Sequence, residues 1–248
     1  MSFLINIFGN RKSTSKKGHN PSHSKNPKIM EILELKNFID FLLSKDSYLA
    51  KSDYLKKLES KKEIVSYFQQ LQNDDLLSDF CRKNSIVADT IIQIIENFNS
   101  IKNLVHKHNE DFIAQKLKSE KPYLDNILSD VDSNILLDND QRRVVLTDED
   151  YCLVIAGAGA GKTTTVAAKV KYLVEKKNIN PREILVVSFT NKAVGELQEK
   201  IKKQLKIDCP ITTFHSTGNA ILHKENDEKL KIIQNDKLYF VLEDYFRS

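Results

Sequence analysis

The chain has 248 residues, of which 40% are hydrophobic and 29% charged, enough for one large or two ordinary domains with a buried core. Its apolar runs fall well short of the ~20 residues that cross a bilayer, which argues against a membrane-spanning helix. Residues 1–28 carry six Lys/Arg and no acid, leaving 32 basic against 34 acidic residues in the remainder, so charge alone does not mark a nucleic-acid surface.

The start, Met1 to Phe8, has the apolarity of a signal core, but its positive charges follow rather than precede it and no small-residue cleavage site appears. The expectation is a cytoplasmic protein. Residues 1–28 are expected to be a disordered basic tail, because 9–28 offer no side chain whose burial offsets the entropy of ordering. Such a tail either solubilises the chain or binds nucleic acid loosely.

From Met30 to about Leu128 apolar residues recur at three and four: Ile32, Leu35, Ile39, Leu42, then Ile64, Val65, Phe68, Leu71, then Ile91, Ile94, Ile95, Phe98, Ile101, Leu104. The spacing predicts a helical domain over 29–128, broken at Ser44 to Ser47 and at Gln72 to Asp75, where polar side chains compete with the helix backbone. His106 and His108, two apart, fall on different helix faces and are expected to be solvated polar positions. Cys81, Cys152 and Cys209 are odd in number and far apart, which suggests inert thiols.

After Asp138 the pattern changes to short apolar runs followed by amphipathic helices: Cys152–Ile155, then 162–175, then Ile184–Phe189, then 191–205, then Ile211–Thr213. That alternation predicts an α/β unit with a parallel sheet and right-handed crossovers, with Pro181 to Glu183 as the turn into the second strand.

One stretch carries chemistry. In Val154-Ile-Ala-Gly-Ala-Gly-Ala-Gly-Lys-Thr-Thr-Thr165, three glycines lie between a strand and a helix start, where a tight backbone can turn its N–H groups toward an anion. The expected nucleotide contacts are Ala156, Gly157, Ala158, Gly159, Ala160, Gly161, Lys162, Thr163 and Thr164. Lys162 is placed to reach the β and γ phosphates, and the Thr163 hydroxyl to ligate Mg2+. The strict P-loop pattern has Gly where this chain has Ala156. A dinucleotide-binding fold would need an acid after the second strand, where this chain has Ser188-Phe-Thr-Asn191. A small kinase lacks support because lid arginines are not evident.

Ala156 to Thr163 resembles the P-loop of UvrD/Rep-like superfamily 1A DNA helicases, in which an alanine commonly opens the motif. Leu137-Asp-Asn-Asp-Gln-Arg142 is similar to the family's Q motif, which assigns Gln141 to adenine; its amide supplies the donor and acceptor that adenine needs. Val187 to Val194 and Thr212 to Ser216 resemble two motifs on the face that grips single-stranded DNA. The resemblance therefore implies DNA contacts at Phe189, Thr190, Asn191, Phe214 and His215. The physics agrees, since the phenylalanines can stack on bases and the polar groups can meet phosphates; without the register to the P-loop, both phenylalanines would read as core. Within the family the spacing from Gln141 to Leu222 is most similar to DNA helicase IV.

The fold implied is an incomplete RecA-like P-loop NTPase subdomain over 129–225, preceded by the helical domain and followed over 226–248 by the start of a helical insertion. The family also needs an Asp-Glu pair and arginines from a second motor domain, which the chain does not reach by Ser248. Leu238 to Asp244 ends in two acids, but in the order Glu then Asp and within an amphipathic pattern. The implied function is ATP-Mg2+ binding without efficient hydrolysis, as a fragment, truncated product or split piece of a DNA helicase, a second polypeptide carrying the rest of the motor in the split case. The alternative is a stand-alone nucleotide-dependent module acting through a protein partner.

Overall fold

The computed structural model describes residues 2–6, 26–157 and 159–225. Strand β1 (Ser2–Asn6) is followed by α1 (Pro27–Leu43), α2 (Leu55–Glu59), α3 (Lys62–Asn73), α4 (Leu77–Lys83), α5 (Ala88–Ser119) and α6 (Lys121–Asn126). The stretch expected to be a disordered tail lies mostly outside the described residues, but Ser2–Asn6 is a strand, and Pro27 and Lys28 already belong to α1. Pro27 sits in the first helical turn, where its missing N–H leaves no bond unmade, and Asn26 caps the helix by accepting from the Lys28 N–H. The polar runs marked as breaks end helices in fact: α1 stops at Ser44 and α3 at Asp74, with Asp75 in the left-handed region at φ 58°.

The apolar stripe of α1 (Ile29, Ile32, Leu35, Ile39, Leu42) is buried against Phe68 of α3 and Ile91 and Ile94 of α5. Phe68 meets Phe80 edge to face with centroids 5.6 Å apart, the favoured geometry for ring quadrupoles. Asn109 on α5 is buried for a reason that periodicity does not show. Its Oδ1 accepts from the Leu49 N–H at 2.8 Å and its Nδ2 donates to the Leu49 carbonyl at 2.9 Å, so one side chain satisfies both backbone groups of a buried loop residue. His108, expected to be solvated, has its Nε2 3.0 Å from the Ser47 carbonyl and pins the same loop.

A second core contains Leu124, Ile127, Leu128, Val145, Leu146, Ala167, Ala168, Leu173, Leu197, Ile201, Cys209 and Ile211. Its residues come from α6, α7 (Asn139–Leu146), α8 (Lys162–Glu175), β3 (Val186–Ser188), α9 (Asn191–Gln198), β4 (Ile211–Thr213) and the segments between them, while strand β2 (Tyr151–Ile155) and α10 (Phe214–Glu225) contribute none. Pro181–Glu183 forms a single 3-10 turn, and Glu199–Gln204 continues α9 as a π-helix. Leu124, Ile127 and Leu128 lie within the helical stretch of the sequence yet pack in this second core.

The sheet departs from expectation. β3 and β4 pair in parallel, Val186 opposite Ile211 and Ser188 opposite Thr213. β2 does not join them; it pairs antiparallel with β1, Ser2 opposite Ile155 and Asn6 opposite Tyr151, giving two two-stranded sheets rather than one parallel sheet. Short apolar runs mark strands but do not encode which strands are neighbours, and the partner of β2 comes from the first residues of the chain, far from the α/β stretch. The described chain is therefore mostly helical with a small parallel pair.

α8 is buried almost all round, from Thr165 through Leu173. Its Lys169 is 4% exposed, and its ammonium donates to the Val145 carbonyl at 2.8 Å and the Thr147 carbonyl at 2.6 Å, at the C-terminal end of α7. These are the carbonyls that a helix end leaves without an intrahelical partner, and a cation suits that end of the helix dipole. Burial lowers the Lys169 pKa from 10.5 to about 8.

Two measurements follow from this packing. Asn109→Ala strands the Leu49 N–H and carbonyl and is expected to cost about 2–4 kcal/mol in chemical denaturation; a loss under about 0.5 kcal/mol, typical of surface changes, would contradict the buried pairing. Because Lys169 loses its proton at a lower pH in the folded chain, the unfolded chain binds more protons between about pH 8 and 10.5. The penalty on the charged lysine is thus fully present below that window and lifts across it. Measured relative to Lys169→Met, wild-type stability should rise there by up to about 1.4 kcal/mol per pH unit, and a flat difference would show that Lys169 titrates normally.

Candidate nucleotide site and DNA-contact edge

β2 runs through Ala156 and Gly157 into a tight loop that ends at Gly161, the residue before the first turn of α8. Gly159 and Gly161 have φ of 76° and 72°, a backbone region that costs other residues energy. Gly161 is constrained twice, because a Cβ built there would lie 2.5 Å from Nε2 of Gln141. Lys162 folds back over the loop: its ammonium donates to the Ala156 carbonyl at 3.1 Å and also to the Gly157 carbonyl. The α8 ladder begins with Thr165 N–H to Gly161 carbonyl at 2.8 Å, leaving the N–H groups of the first turn without an intrahelical partner. Ala158 lies outside the described residues.

A cavity of about 330 Å3 opens between this loop and α7, walled by Asp138, Gln141 and Val144 on one side and by Val154, Ala156 and Lys162 on the other. Asp138 and Gln141 form a capping box: Asp138 Oδ1 accepts from the Gln141 N–H at 2.8 Å, and Gln141 Oε1 accepts from the Asp138 N–H at 3.0 Å. Gln141 Nε2 donates to the Ala160 carbonyl at 3.3 Å. Both ends of the amide are thus engaged within the protein, each with one further hydrogen-bonding position open, since the NH2 carries two hydrogens and the oxygen two lone pairs.

Of the other loop residues, Thr163 is half-buried in the first turn of α8. The Thr164 hydroxyl accepts from the ammonium of Lys200 at 3.0 Å, which ties the start of α8 to the π-helical turn after α9. Lys200 was invisible to sequence reasoning, since it is one lysine among several in a helical stretch. Lys169 left a signal, being a lysine where the helical pattern of Ala167, Ala168, Val170 and Leu173 demands burial.

The second group of residues gathers at the carboxyl ends of β3 and β4. Parallel pairing brings those ends side by side, each feeding a helix, so Phe189, Thr190 and Asn191 lie beside Phe214 and His215. Phe189 is 68% and Phe214 71% exposed, and each ring lies against His215, at 6.2 and 6.4 Å between centroids. Neither phenylalanine is core. Thr190 caps α9 by accepting from the Ala193 N–H at 3.2 Å, and Thr213 accepts from the Ser216 N–H at 3.1 Å in the first turn of α10. The arrangement offers aromatic faces next to two helix starts, the means by which a single strand is stacked and its phosphates held. The acid pair at Glu243 and Asp244 falls outside the described residues. No described helix is long and apolar enough to cross a membrane.

Comparison with known proteins places these motifs. The family described as UvrD/REP helicase N-terminal domain matches residues 137–243. A probable DNA helicase of Mycoplasma pneumoniae is 37% identical over 109 residues, 42% of this chain and 20% of that protein. A probable DNA helicase II homolog of Mycoplasma capricolum subsp. capricolum is 39% identical over 109 residues, 41% of this chain and 15% of that protein. The ATP-dependent DNA helicase PcrA of Staphylococcus aureus is 34% identical over 94 residues, 37% of this chain and 13% of that protein. The shared stretch is thus a fifth or less of each relative's length. Residues 137–243 of this chain belong to the UvrD/REP helicase N-terminal domain family.

Proposed function

We propose that this chain binds ATP with Mg2+ through its P-loop and grips single-stranded DNA at the β3–β4 edge, as the nucleotide-binding part of an ATP-driven DNA helicase. The observation that carries the reading is the loop itself: two left-handed glycines, a lysine poised over the loop and the open first turn of α8, with Ala156, Gly157, Ala160 and Lys162 lining one cavity. Residues 129–225 then act as an incomplete RecA-like subdomain behind the helical domain of 29–128.

In this reading a triphosphate draws the Lys162 ammonium from the Ala156 and Gly157 carbonyls to its β and γ oxygens, and the first-turn N–H groups of α8 take the remaining charge. Thr163, in that turn, would hold Mg2+ through its hydroxyl oxygen, and the ion would supply positive charge to offset that of the phosphates. Gln141 turns its amide from Ala160 to the adenine edge. The cavity wall presents Lys162 but no arginine, and of its two acids Asp138 is committed to capping α7. Missing arginines cost about 10³-fold or more in phosphoryl transfer, so the chain alone holds nucleotide and turns it over slowly. Tyr151, Leu153 and Ile155 expose an apolar row along β2, which favours further motor structure packing there, including from a second polypeptide.

Titration of a fluorescent ATP analogue with Mg2+ tests the nucleotide half. Micromolar binding is expected in the wild type, at least about tenfold weaker in Lys162→Ala and in Gln141→Ala, with turnover below about one per second; equal binding by all three proteins would refute it. For the DNA half, a labelled oligothymidine is expected to bind about tenfold more weakly to Phe189→Ala and Phe214→Ala, since a stacked base contributes about 1–3 kcal/mol. Unchanged affinity in both would assign these rings another role.

A further inference from the structure

α7 is held at both ends against the P-loop unit, and the two ends do different work. At its start Gln141 touches the loop and closes the capping box; at its finish Lys169, from the middle of α8, holds the carbonyls of Val145 and Thr147. The remaining polar anchors of α7 run elsewhere. Arg142 pairs with Asp125 at 2.7 Å on α6, and Arg143 grips Glu110 of α5 through both carboxylate oxygens at 2.7 and 2.8 Å. Apolar contacts of Val145 and Leu146 with Ala167 and Val170 keep the two helices together, but such contacts slide easily, whereas two directional bonds to one ammonium fix the helix along its axis.

This matters when a base arrives. A Gln141 amide that turns toward a nucleotide gives up its bond to the Ala160 carbonyl, so the start of α7 loses its polar tie to the loop at the moment its position must be accurate. Accurate placement matters because a hydrogen bond forms only within a narrow range of donor–acceptor distance and angle. Among the described residues, the polar tie that remains between α7 and α8 is the one at Lys169.

We infer that Lys169 is a positioning residue for base selection: by clamping the C-terminal carbonyls of α7 to the P-loop helix, it holds Gln141 in register with the bound nucleotide without touching that nucleotide. Three neighbours bear on its charge, Asp148 and Cys152 favouring the ammonium and Lys177 opposing it. Lys177 is paired with Asp148 at 3.2 Å. The Lys169 ammonium donates to both carbonyls, with the Asp148 carboxylate acting on it through space rather than in its place.

The inference rests on nucleotide binding at the P-loop, and the experiment separates the two. Affinities for ATP, GTP and inorganic tripolyphosphate, each with Mg2+, are measured for the full chain and for Lys169→Met, Lys169→Gln and Lys169→Arg. Tripolyphosphate reports the P-loop alone, and the ATP to GTP ratio reports the Gln141 register. The expected result is tripolyphosphate affinity within about twofold of wild type throughout, with the ATP to GTP preference falling about tenfold in Lys169→Met, less in Lys169→Gln, and returning in Lys169→Arg. An unchanged ratio in Lys169→Met, or in Lys169→Gln if the methionine variant does not fold, overturns the inference while leaving the nucleotide site standing. Equal loss of all three ligands also overturns it, by showing that Lys169 merely supports the fold. A wild type that binds neither ATP nor tripolyphosphate refutes the nucleotide reading and takes this one with it.

Discussion

Everything at the candidate site depends on a contact between two residues that are twenty apart in sequence. Gly161 turns the chain from loop to helix with φ 72°, and the end of the Gln141 side chain lies 2.5 Å from where a Cβ at that glycine would stand. The backbone turn makes the α8 start available to an anion, and the close approach brings the α7 start to the same place. Another residue at 161 would meet the conformational cost of a positive φ and would displace the Gln141 amide, so one turn shapes both the loop and the neighbouring side of the cavity.

Much of this was legible in the residues. Helix α8 runs over Lys162–Glu175 as its pattern predicts, the polar runs at 44–47 and 72–75 end helices, and the P-loop lies between a strand and that helix. These are local matters of spacing, capping and turn chemistry. The neighbours of strands are not local, and so β2 pairs with β1 rather than with β3. Asn109 shows the same limit: asparagine at a buried position looks like an error until Leu49, sixty residues away, presents the two backbone groups it satisfies. Gln141 lies between these cases, since its place in a capping box can be read from Asp138 three residues earlier, whereas its bond to Ala160 cannot.

Phe189 and Phe214 illustrate how a weak signal becomes strong through topology. Each alone is an apolar residue at a strand end. Parallel pairing of β3 with β4 puts both strand ends on one edge, where each ring stands mostly in solvent against His215. Two large exposed rings side by side form a small apolar face that a flat group could cover.

The long α5 has a mechanical consequence. Its 32 residues reach about 48 Å at 1.5 Å per residue, with Ile91 to Val105 in the first core and Leu117 against the second. Near its middle Asn109 and Glu110 fasten a loop of the helical region and α7 of the P-loop region. A continuous helix has no joint, so the two cores share one beam: bending or fraying in one is felt by the other, and they are built to melt as one cooperative unit rather than in separate steps.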